Sequence, residues 1–441
     1  MENKNSELLE QIRQQFESAP YPRNPLEHTP KGDANYLFIH NFCTPYYLRN
    51  QQIIDVKEKV ILDAGCGSGY TSLVLAEANP GAKIIGIDLS EESVKLARQR
   101  LLYHGFKDAE FYAMPIEDLP TLGLQFDYIN TDEVLYLLPS PLDGLRAMQS
   151  VLKPDGIIRA NLHSYLQRFY IFQGQKLFSL MGLMENNPEE LEVELVRETM
   201  MALKDSVVLK RTTWDAVYEA EDENILLNYL LRGDKGYTIP ELFELLNGAE
   251  LEFISMVNWR QWELTDLFKE PDNLPTLLGM SFPELSVEEQ LHLFEILNPV
   301  HRLLDFWCGH PRAEEPLVPI ADWEYSDWQG VRVELHPQLR TAQVRQEAID
   351  CITHHRGFEM SRYIPAPTLN PVSINSSMTA CLLPLWDGTQ TVRSLVQRSL
   401  KLRPVDPVTL ESVSEQQAFS EIQDLLMKLE IFLYVLLERS P

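Results

Sequence analysis

One stretch near the start of the chain restricts the possible fold more than any other. Residues 60–89 read VILDAGCGSGYTSLVLAEANPGAKIIGIDL. This is an apolar run ending at Asp63, a glycine-rich turn, a helical pattern and a second apolar run ending at Asp88. Two buried strands joined through a helix form a parallel β-α-β unit. Because ligands bind such sheets at the carboxyl ends of the strands, the stretch predicts a nucleoside site at that edge.

The residues of the turn have separate tasks in this prediction. Gly65, Gly67 and Gly69 are expected where the backbone turns sharply and a ligand approaches, since glycine carries no Cβ. The helix that starts near Tyr70 presents unpaired N–H groups to that ligand. Asp88 follows Gly67 by 21 residues, the separation at which a second-strand carboxylate meets ribose hydroxyls. The alternative is a generic strand–turn–helix whose Asp residues only improve solubility.

Strands and helices continue to alternate after this unit. Strands are predicted at 59–63, 83–88, 109–113, 126–131, 156–162 and 250–257, with helices at 69–78, 91–103 and 142–152. The pattern predicts an α/β fold with a doubly wound, mostly parallel sheet. Residues 164–235 are helical in pattern and rich in Glu, so we expect a helical insertion above the site.

Breaks in the pattern divide the chain into four predicted parts. Prolines between residues 20 and 25, and again at 365–371, mark interruptions. The predicted parts are an N-terminal helical cap over 1–50, a ligand-binding domain with its insertion over 51–260, a mixed connecting segment over 261–365 and a helix-rich module over 366–441. Within the cap, helices are predicted at 6–17, on a stripe of Leu9, Ile12 and Phe16, and at 34–50.

Charge and composition disfavour several classes of protein. The net charge of −27 opposes nucleic-acid binding, which needs Lys and Arg to neutralise phosphates. The sequence has no apolar run long enough to span a membrane, and its polar N-terminus lacks the apolar core of a secretory signal. The five cysteines are scattered without a C-x-x-C pair, as expected of free thiols in a cytoplasmic protein. We expect no metal; a zinc site of Cys308, His310 and His301 is the alternative.

The turn from Asp63 to Gly69 resembles the first motif of the Rossmann-like, class I S-adenosylmethionine-dependent methyltransferases. In that motif an acidic residue ends a strand and G-x-G-x-G follows. The turn differs from the G-x-G-x-x-G of dinucleotide-binding proteins, which disfavours a dehydrogenase. The resemblance implies S-adenosylmethionine as cofactor, with Asp63 near its amino-acid end and Asp88 and Leu89 at its ribose.

Two later segments resemble further cofactor motifs of the same family. Residues 114–120 stand where the family places its adenine motif, although Pro115 replaces the usual Asp. Residues 126–136 resemble the fourth-strand motif, which ends beneath the reactive methyl group. The additional cofactor-binding residues that the resemblance implies are Tyr46 as a lid, Ile116 and Glu117 at the adenine, and Thr131 and Asp132 after the fourth strand.

A broader resemblance covers the whole chain. The Pro-Tyr-Pro near residue 20, the pattern at 123–129 and Leu-Leu-Pro-Leu-Trp-Asp-Gly-Thr at 382–389 look like bacterial methyltransferases that carry a C-terminal regulatory domain. Some of those enzymes methylate protein lysines, and the C-terminal unit also looks like a winged-helix module. The chain departs from their pattern after the fourth and fifth strands, where acceptors dock.

Three residues are candidates for catalysis. Methyl transfer from a sulfonium depends mainly on orientation and exclusion of water, and a base is needed when the acceptor must lose a proton. His163 follows the fifth strand and is the best placed base, with a structural histidine as the alternative. Tyr136 is placed beside the cofactor or in the core, and Tyr237 opens a helix expected to face the same cleft.

The acceptor is expected to be a protein side chain or a small molecule. The Glu-rich segment 185–198, if it rims the cleft, favours an amine over a carboxylate; a solvated helix face is the alternative. A second interpretation is a non-catalytic S-adenosylmethionine-binding regulatory or interaction protein, supported only by Pro115. A DNA-binding regulator is opposed by the net charge.

Overall fold

The computed structural model describes Arg13, Glu17 and residues 21–185, 187–215, 217–218, 221–312, 317–365, 370–406 and 408–439. Leu9, Ile12 and Phe16, the stripe of the predicted N-terminal helix, lie outside these residues. So does most of the predicted linker, residues 366–369.

Strands and helices alternate through much of the described chain. The strands are β1 (Val60–Ala64), β2 (Lys83–Asp88), β3 (Glu110–Ala113), β4 (Phe126–Thr131), β5 (Leu152–Ser164), β6 (Gly236–Tyr237), β7 (Glu252–Met256), β8 (Leu303–Gly309), β9 (Arg332–Leu335), β10 (Phe358–Glu359), β11 (Ser373–Ile374), β12 (Gln390–Thr391) and β13 (Val435–Glu438). The helices are α1 (Ala34–Ile39), α2 (Cys43–Asn50), α3 (Tyr70–Ala78), α4 (Glu91–Tyr103), α5 (Pro141–Ser150), α6 (Phe169–Leu180), α7 (Glu190–Ala202), α8 (Val208–Thr213), α9 (Asp222–Asn228), α10 (Ile239–Gly248), α11 (Thr276–Ser281), α12 (Val287–Leu297), α13 (Tyr325–Gln329), α14 (Ala342–Thr353), α15 (Ser376–Leu382), α16 (Val392–Leu402) and α17 (Glu415–Glu430).

An eight-stranded sheet forms the centre of the first 310 residues. Its strand order is β3-β2-β1-β4-β5-β8-β7, and β6 pairs with the end of β5. Strands β1 to β5 are parallel, while β8 runs antiparallel to both β5 and β7. The central strands are largely buried because helices cover both faces of the sheet. The predicted doubly wound, mostly parallel α/β fold is confirmed.

The helix boundaries follow capping residues in the sequence. Helix α4 begins after Ser90, whose hydroxyl accepts a hydrogen bond from the Ser93 amide, and its first turn carries Glu91 and Glu92. Helix α5 begins at Pro141 after Ser140, which caps it in the same way.

The predicted helical insertion is confirmed between β5 and β6. Helices α6 to α9 enclose a small core of their own, centred on Phe178, Val196 and Tyr229. Strand β6 then returns to pair with β5, with His163 opposite Gly236 and Ser164 opposite Tyr237. The two ends of the insertion therefore lie side by side on the sheet.

The helix-rich C-terminal module extends further toward the N-terminus than predicted. Its three-stranded antiparallel sheet has the order β12-β9-β13, and one hydrophobic core runs from Ile320 to Leu437. The boundary predicted at residue 366 therefore separates β9 from its partners β12 and β13. Residue Tyr47 of α2 joins the module to the sheet domain, since its hydroxyl donates to Glu430 and accepts from the Leu437 amide.

The helix predicted over 34–50 is two helices. Between α1 and α2, the Asn41 amide group donates to the carbonyl of Ala78, and Asn79 donates to the carbonyl of His40. These hydrogen bonds hold residues 40–42 in a bend against α3 and so interrupt the helix.

Candidate active site

A cavity of about 1000 Å³ lies at the carboxyl ends of the parallel strands. Its walls come from the turn after β1, the ends of β2 and β5, and the segments that follow β3 and β4. This volume is at the upper limit for small-molecule sites, so it is sufficient for a nucleoside and a second reactant together.

The turn after β1 and the end of β2 form the first wall. The Asp88 carboxylate accepts from the Gly67 amide through Oδ2 and from the Ser90 amide through Oδ1, both at 2.9 Å. Each oxygen retains lone pairs for a ligand. Burial raises the pKa of Asp88. A Cβ on Gly67, which has a φ of +47°, would lie 2.2 Å from the carbonyl oxygen of Tyr21, so this position requires glycine.

Residues 21–26, called here the N-terminal strap, cross over the glycine turn. The Ser68 amide donates to the Tyr21 carbonyl at 2.8 Å, and the Ser68 hydroxyl donates to the Pro22 carbonyl at 2.6 Å. The fully buried Arg100 holds the rest of the strap by donating to the carbonyls of Asn24 and Pro25, each at 2.7 Å. Since Tyr21 and Pro22 also line the cavity, the strap forms part of its wall.

Residues after β3 line the next part of the cavity. Pro115, Ile116 and Glu117 contribute to the wall, beside Leu89, which follows β2. One carboxylate oxygen of Glu117 is buried without a hydrogen-bond partner among the described residues. An amino group of a ligand would satisfy that oxygen, which compensates for the Asp that Pro115 replaces.

Asp63 lies beneath the cavity and does not line it. Its carboxylate accepts from the hydroxyl of Ser72 at 2.6 Å and from the amide of Asn130 at 3.1 Å. Burial raises the pKa of Asp63 to about 7. The residue therefore connects β1, α3 and β4, whereas the sequence placed it at the cofactor itself.

Four other predicted residues also lie off the cavity wall. A Cβ on Gly69 would lie 2.5 Å from the Cα of Ala97, so Gly69 serves the packing of the turn on α4. Thr131 is buried at the end of β4. Tyr46 packs edge-on against Phe42 at the edge of the sheet core and does not line the cavity, so it does not form a lid in this structure. Tyr237 is buried in the core of the sheet domain.

Arg159, on β5, is the centre of a buried polar network at the wall of the cavity. It donates to Asp305 on β8 at 2.7 Å and to Asp132 at 3.2 Å. It also donates to the amide oxygen of Asn130 at 3.0 Å, and one Nη lies 2.8 Å from His40 Nε2. Burial alone would raise the pKa of Asp132, but Arg159 and His40 outweigh that effect and lower it. Asp132 is therefore ionised at the cavity wall. Burial fixes its hydrogen bond to Arg159.

His163 lines the cavity in a defined orientation. Its Nδ1 lies 2.6 Å from Oδ1 of Asp234, and its Nε2 lies 3.1 Å from Nη1 of Arg302. Because a guanidinium only donates, Nε2 must accept, which places the single imidazole proton on Nδ1 toward Asp234. The Tyr136 ring stacks on the imidazole with 3.8 Å between centroids. The geometry thus turns Nδ1 toward Asp234 and the Nε2 lone pair toward Arg302 at the cavity wall.

Carboxylates surround this histidine and keep their charge. Burial would raise the pKa of Asp234, but His163 and Arg168 outweigh it and lower that pKa. Burial would likewise raise the pKa of Glu133, but His163 and Arg302 lower it to about 2. Glu133 has a left-handed backbone with a φ of 59°, a strained conformation of the kind found at functional sites. Its carboxylate receives both Nη groups of Arg302 and the hydroxyl of Tyr136.

Sequence reasoning missed Asp234, Arg302 and Arg159 because none follows a recognisable motif. The pairing of His163 with Gly236 brings Asp234 beside the imidazole. The pairing of His163 with Leu303 brings Arg302 to its other side. Only the strand register reveals these neighbours, although a carboxylate two residues before a short strand was an available signal.

The acidic segment 185–198 does not line the cavity within the described residues. Much of it forms α7, which starts with a capping box between Glu189 and Glu192. Five leucines contribute an apolar part of the cavity wall, called here the apolar chamber: Leu137, Leu138, Leu227, Leu231 and Leu303. The described part of segment 185–198 is thus a solvated helix face.

The described residues contain neither a group of metal ligands nor a helix that could span a membrane. Nowhere do three or more His, Cys, Asp or Glu side chains in that part of the chain group as metal ligands. Among the described helices, none has the length and apolar character needed to cross a bilayer.

Comparisons with known proteins agree with this geometry. A family model described as a methyltransferase domain matches residues 55–225, which include every strand-end residue of the cavity from β1 to β5. This chain carries a class I S-adenosylmethionine-dependent methyltransferase domain. The solved structure of PKMT2 from Rickettsia typhi matches 92% of this methyltransferase with a TM-score of 0.58. That match covers 75% of PKMT2 at 15% sequence identity, which shows a shared fold.

Two curated relatives match in sequence. An uncharacterised protein of Synechococcus sp. is 27% identical over 315 residues, which is 71% of this methyltransferase and 73% of the relative. A ubiquinone biosynthesis O-methyltransferase of Bordetella avium is 41% identical over 97 residues, or 22% of this chain. The match spans only 39% of that O-methyltransferase.

Proposed function

We propose that this methyltransferase methylates a hydroxyl oxygen of a small molecule and that His163 accepts the hydroxyl proton. The observation that carries the proposal is the orientation of His163. Asp234 orients the imidazole through Nδ1, and Nε2, which lies 3.1 Å from Arg302 Nη1, accepts the hydroxyl proton when the acceptor takes the place of Arg302 at this nitrogen. A histidine oriented by a buried carboxylate is the usual arrangement of a general base.

The residues present fit S-adenosylmethionine. Asp88 offers lone pairs for ribose hydroxyls, Gly67 permits close approach of the backbone, and the unpartnered oxygen of Glu117 suits the adenine amino group. When bound, the cofactor supplies a methyl group activated by its sulfonium charge. The protein has to orient the acceptor and exclude water, which the strap and the apolar chamber favour.

The charges around His163 favour oxygen over an amine. An acceptor next to Nε2 lies within reach of the Arg302 guanidinium, which repels an ammonium group and stabilises the negative charge that develops on a hydroxyl oxygen. The amine expected from sequence depended on the acidic segment 185–198, which forms a solvated face elsewhere. The O-methyltransferase of Bordetella avium supports the same choice by its name.

A non-catalytic binding protein gains nothing from this arrangement. Burying Asp234 and Arg168 beside an imidazole costs desolvation energy, and proton transfer gives the imidazole that they orient a use. The intact network therefore supports catalysis over the regulatory alternative.

The test combines an acceptor panel with a histidine variant. The protein is incubated with methyl-labelled S-adenosylmethionine and matched pairs of acceptors, such as catechol and 1,2-diaminobenzene, together with separated protein and small-molecule fractions of a cell extract. We expect the label on hydroxyl oxygen in small molecules. His163→Ala should lower turnover by roughly 10²- to 10⁴-fold with cofactor affinity unchanged.

The exposed His354 on α14 provides the matched control, and His354→Ala should leave turnover unchanged. Label found only on nitrogen or on protein overturns the hydroxyl assignment. Full activity in His163→Ala overturns the role of His163 as the base.

A further inference from the structure

A second cavity of about 360 Å³ adjoins the first. It lies within the insertion, between α6 and the end of α8, and shares Tyr218, Asn228 and Arg302 with the main cavity. Because these three residues line both spaces, the two cavities adjoin, and a molecule at His163 can extend toward the second cavity.

The lining of the second cavity is unusually rich in arginine. Arg168, Arg211 and Arg302 line it, against one carboxylate, Asp215. The Asp215 carboxylate accepts from the backbone amides of Val217 and Tyr218 and so caps the local turn. The guanidinium groups are thus the principal recognition elements of this space.

Arg168 has a donor without a partner. Only 2% of its side chain is exposed. One Nη donates to Asn228 at 3.1 Å and the other to Asp234 at 3.2 Å, but Nε has no acceptor among the described residues. A buried N–H without a partner is unfavourable, and an acceptor group of a ligand would satisfy it.

Proton transfer to His163 unbalances the charge around this cavity. Before transfer, Arg168, Arg211 and Arg302 face three carboxylates, namely Asp234, Asp215 and Glu133. When His163 gains a proton, Asp234 is shared between two cations, the imidazolium and Arg168. The Asp234 carboxylate alone then serves two cations, and an anionic group of the acceptor would stabilise them further.

We propose that the second cavity binds a carboxylate of the methyl acceptor, so the substrate is a hydroxyl-bearing carboxylic acid with an apolar body. A planar carboxylate matches the fork of a guanidinium better than other anions do. The body of the acid lies against the leucines of the main cavity, and its hydroxyl reaches His163. This inference rests on the proposed function, and it names the class of acceptor for the same site.

Binding measured without turnover tests the inference separately from the proposed function. The probes are hydroxyaryl acids with spacers of increasing length between ring and carboxylate, from 3,4-dihydroxybenzoate to 3-(3,4-dihydroxyphenyl)propanoate, each paired with its neutral primary amide. Affinities are measured by calorimetry on the full chain with S-adenosylhomocysteine present. At least one acid should bind roughly ten- to a hundredfold more tightly than its amide.

Arg168→Lys keeps the charge beside Asp234 but removes the guanidinium fork. In this variant the ratio of acid affinity to amide affinity should fall to within roughly threefold of unity, because a lysine contributes no more than a surface charge would. Because any displacement of His163 affects acid and amide alike, the ratio isolates the carboxylate contact. The same substitution at the exposed Arg146 on α5, Arg146→Lys, is the matched control and should leave the ratio unchanged.

The outcomes separate the two hypotheses. Equal affinity of every acid and its amide, no binding of any acid, or an unchanged ratio in Arg168→Lys overturns the carboxylate site. Methylation of neutral catechols with no preference for acids does the same, while leaving His163 as the base. Tight, Arg168-dependent binding of an acid supports the site even where no methyl transfer follows.

Discussion

Replacing Asp234 with Asn tests how the protein prepares His163. The Asp234 side chain is fully buried, and its two oxygens accept from His163, Arg168 and Gln175 at distances between 2.6 and 3.2 Å. Asn has the same shape but only one accepting oxygen. If that oxygen stays with Arg168 and Gln175, the amide N–H₂ faces Nδ1, and the imidazole must move its proton to Nε2.

An imidazole with its proton on Nε2 cannot accept one from a hydroxyl. We therefore expect Asp234→Asn to lower turnover by about 10²- to 10⁴-fold, as for loss of a general base. The substitution also leaves the Arg168 guanidinium buried without a carboxylate, which costs about 3–5 kcal/mol in free energy of unfolding. Cofactor affinity should not change, since Asp234 lies behind His163 and away from Asp88.

The assay has two independent readouts. Nitrogen-15 NMR of labelled histidine reports which ring nitrogen carries the proton, and it requires no acceptor. Turnover with the hydroxyl acceptor found in the panel gives the rate effect. The control is Asp222→Asn, since Asp222 is an exposed carboxylate of the same insertion that pairs with Arg197. We expect this control to change the free energy of unfolding by less than about 0.5 kcal/mol and to leave turnover normal. A folded Asp234→Asn protein with unchanged turnover would refute the reasoning.

Three other substitutions address the cofactor side. Asp88→Ala should weaken binding of S-adenosylhomocysteine by about 1–3 kcal/mol, because ribose hydroxyls lose their acceptor; calorimetry showing equal affinity contradicts this. The pKa of Asp63 is raised from 3.8 to about 7, so its stabilising contribution is present below pH 4 and is lost as the pH rises to about 7. Relative to Asp63→Asn, the wild type should lose up to about 4 kcal/mol of unfolding free energy over that range in urea titrations, and a constant difference argues against the assignment. Arg100→Met should destabilise the protein by about 3 kcal/mol and weaken cofactor binding, since the strap loses its hydrogen bonds; cofactor affinity equal to that of the wild type would separate the strap from the site.

The cofactor side was predictable because its signals are local in sequence. The turn from Gly65 to Gly69 and the carboxylate of Asp88 belong to one β-α-β unit, and the fold followed from the alternation of strands and helices. The local pattern did not distinguish residues at the cavity from those beneath it. Asp63 is a case in point, since its carboxylate turns to Ser72 and Asn130.

The acceptor side was only partly predictable because its residues are distant in sequence. His163 was recognised from its position at a strand end, but Asp234 and Arg302 reach it only through pairings of β5 with β6 and β8. Strand β8 itself escaped prediction, since Leu303–Gly309 lacks the strict alternation of a half-buried strand, although Asn298-Pro299 and Pro311 flank it. Likewise, β9 is four residues long, and its place in the C-terminal sheet depends on partners about 100 residues later in the chain.

The pairing of His163 with Gly236 has a consequence for how such a protein diversifies. The insertion leaves the sheet at one point and returns beside it, so its length and sequence can change without moving the strands that hold the donor. Asp234 comes from the returning end, whereas Arg168 comes from the departing end. Exchange of the segment between them would therefore change which molecules are accepted while preserving the base. The insertion is thus the part of the chain in which new acceptor preferences can evolve or be engineered.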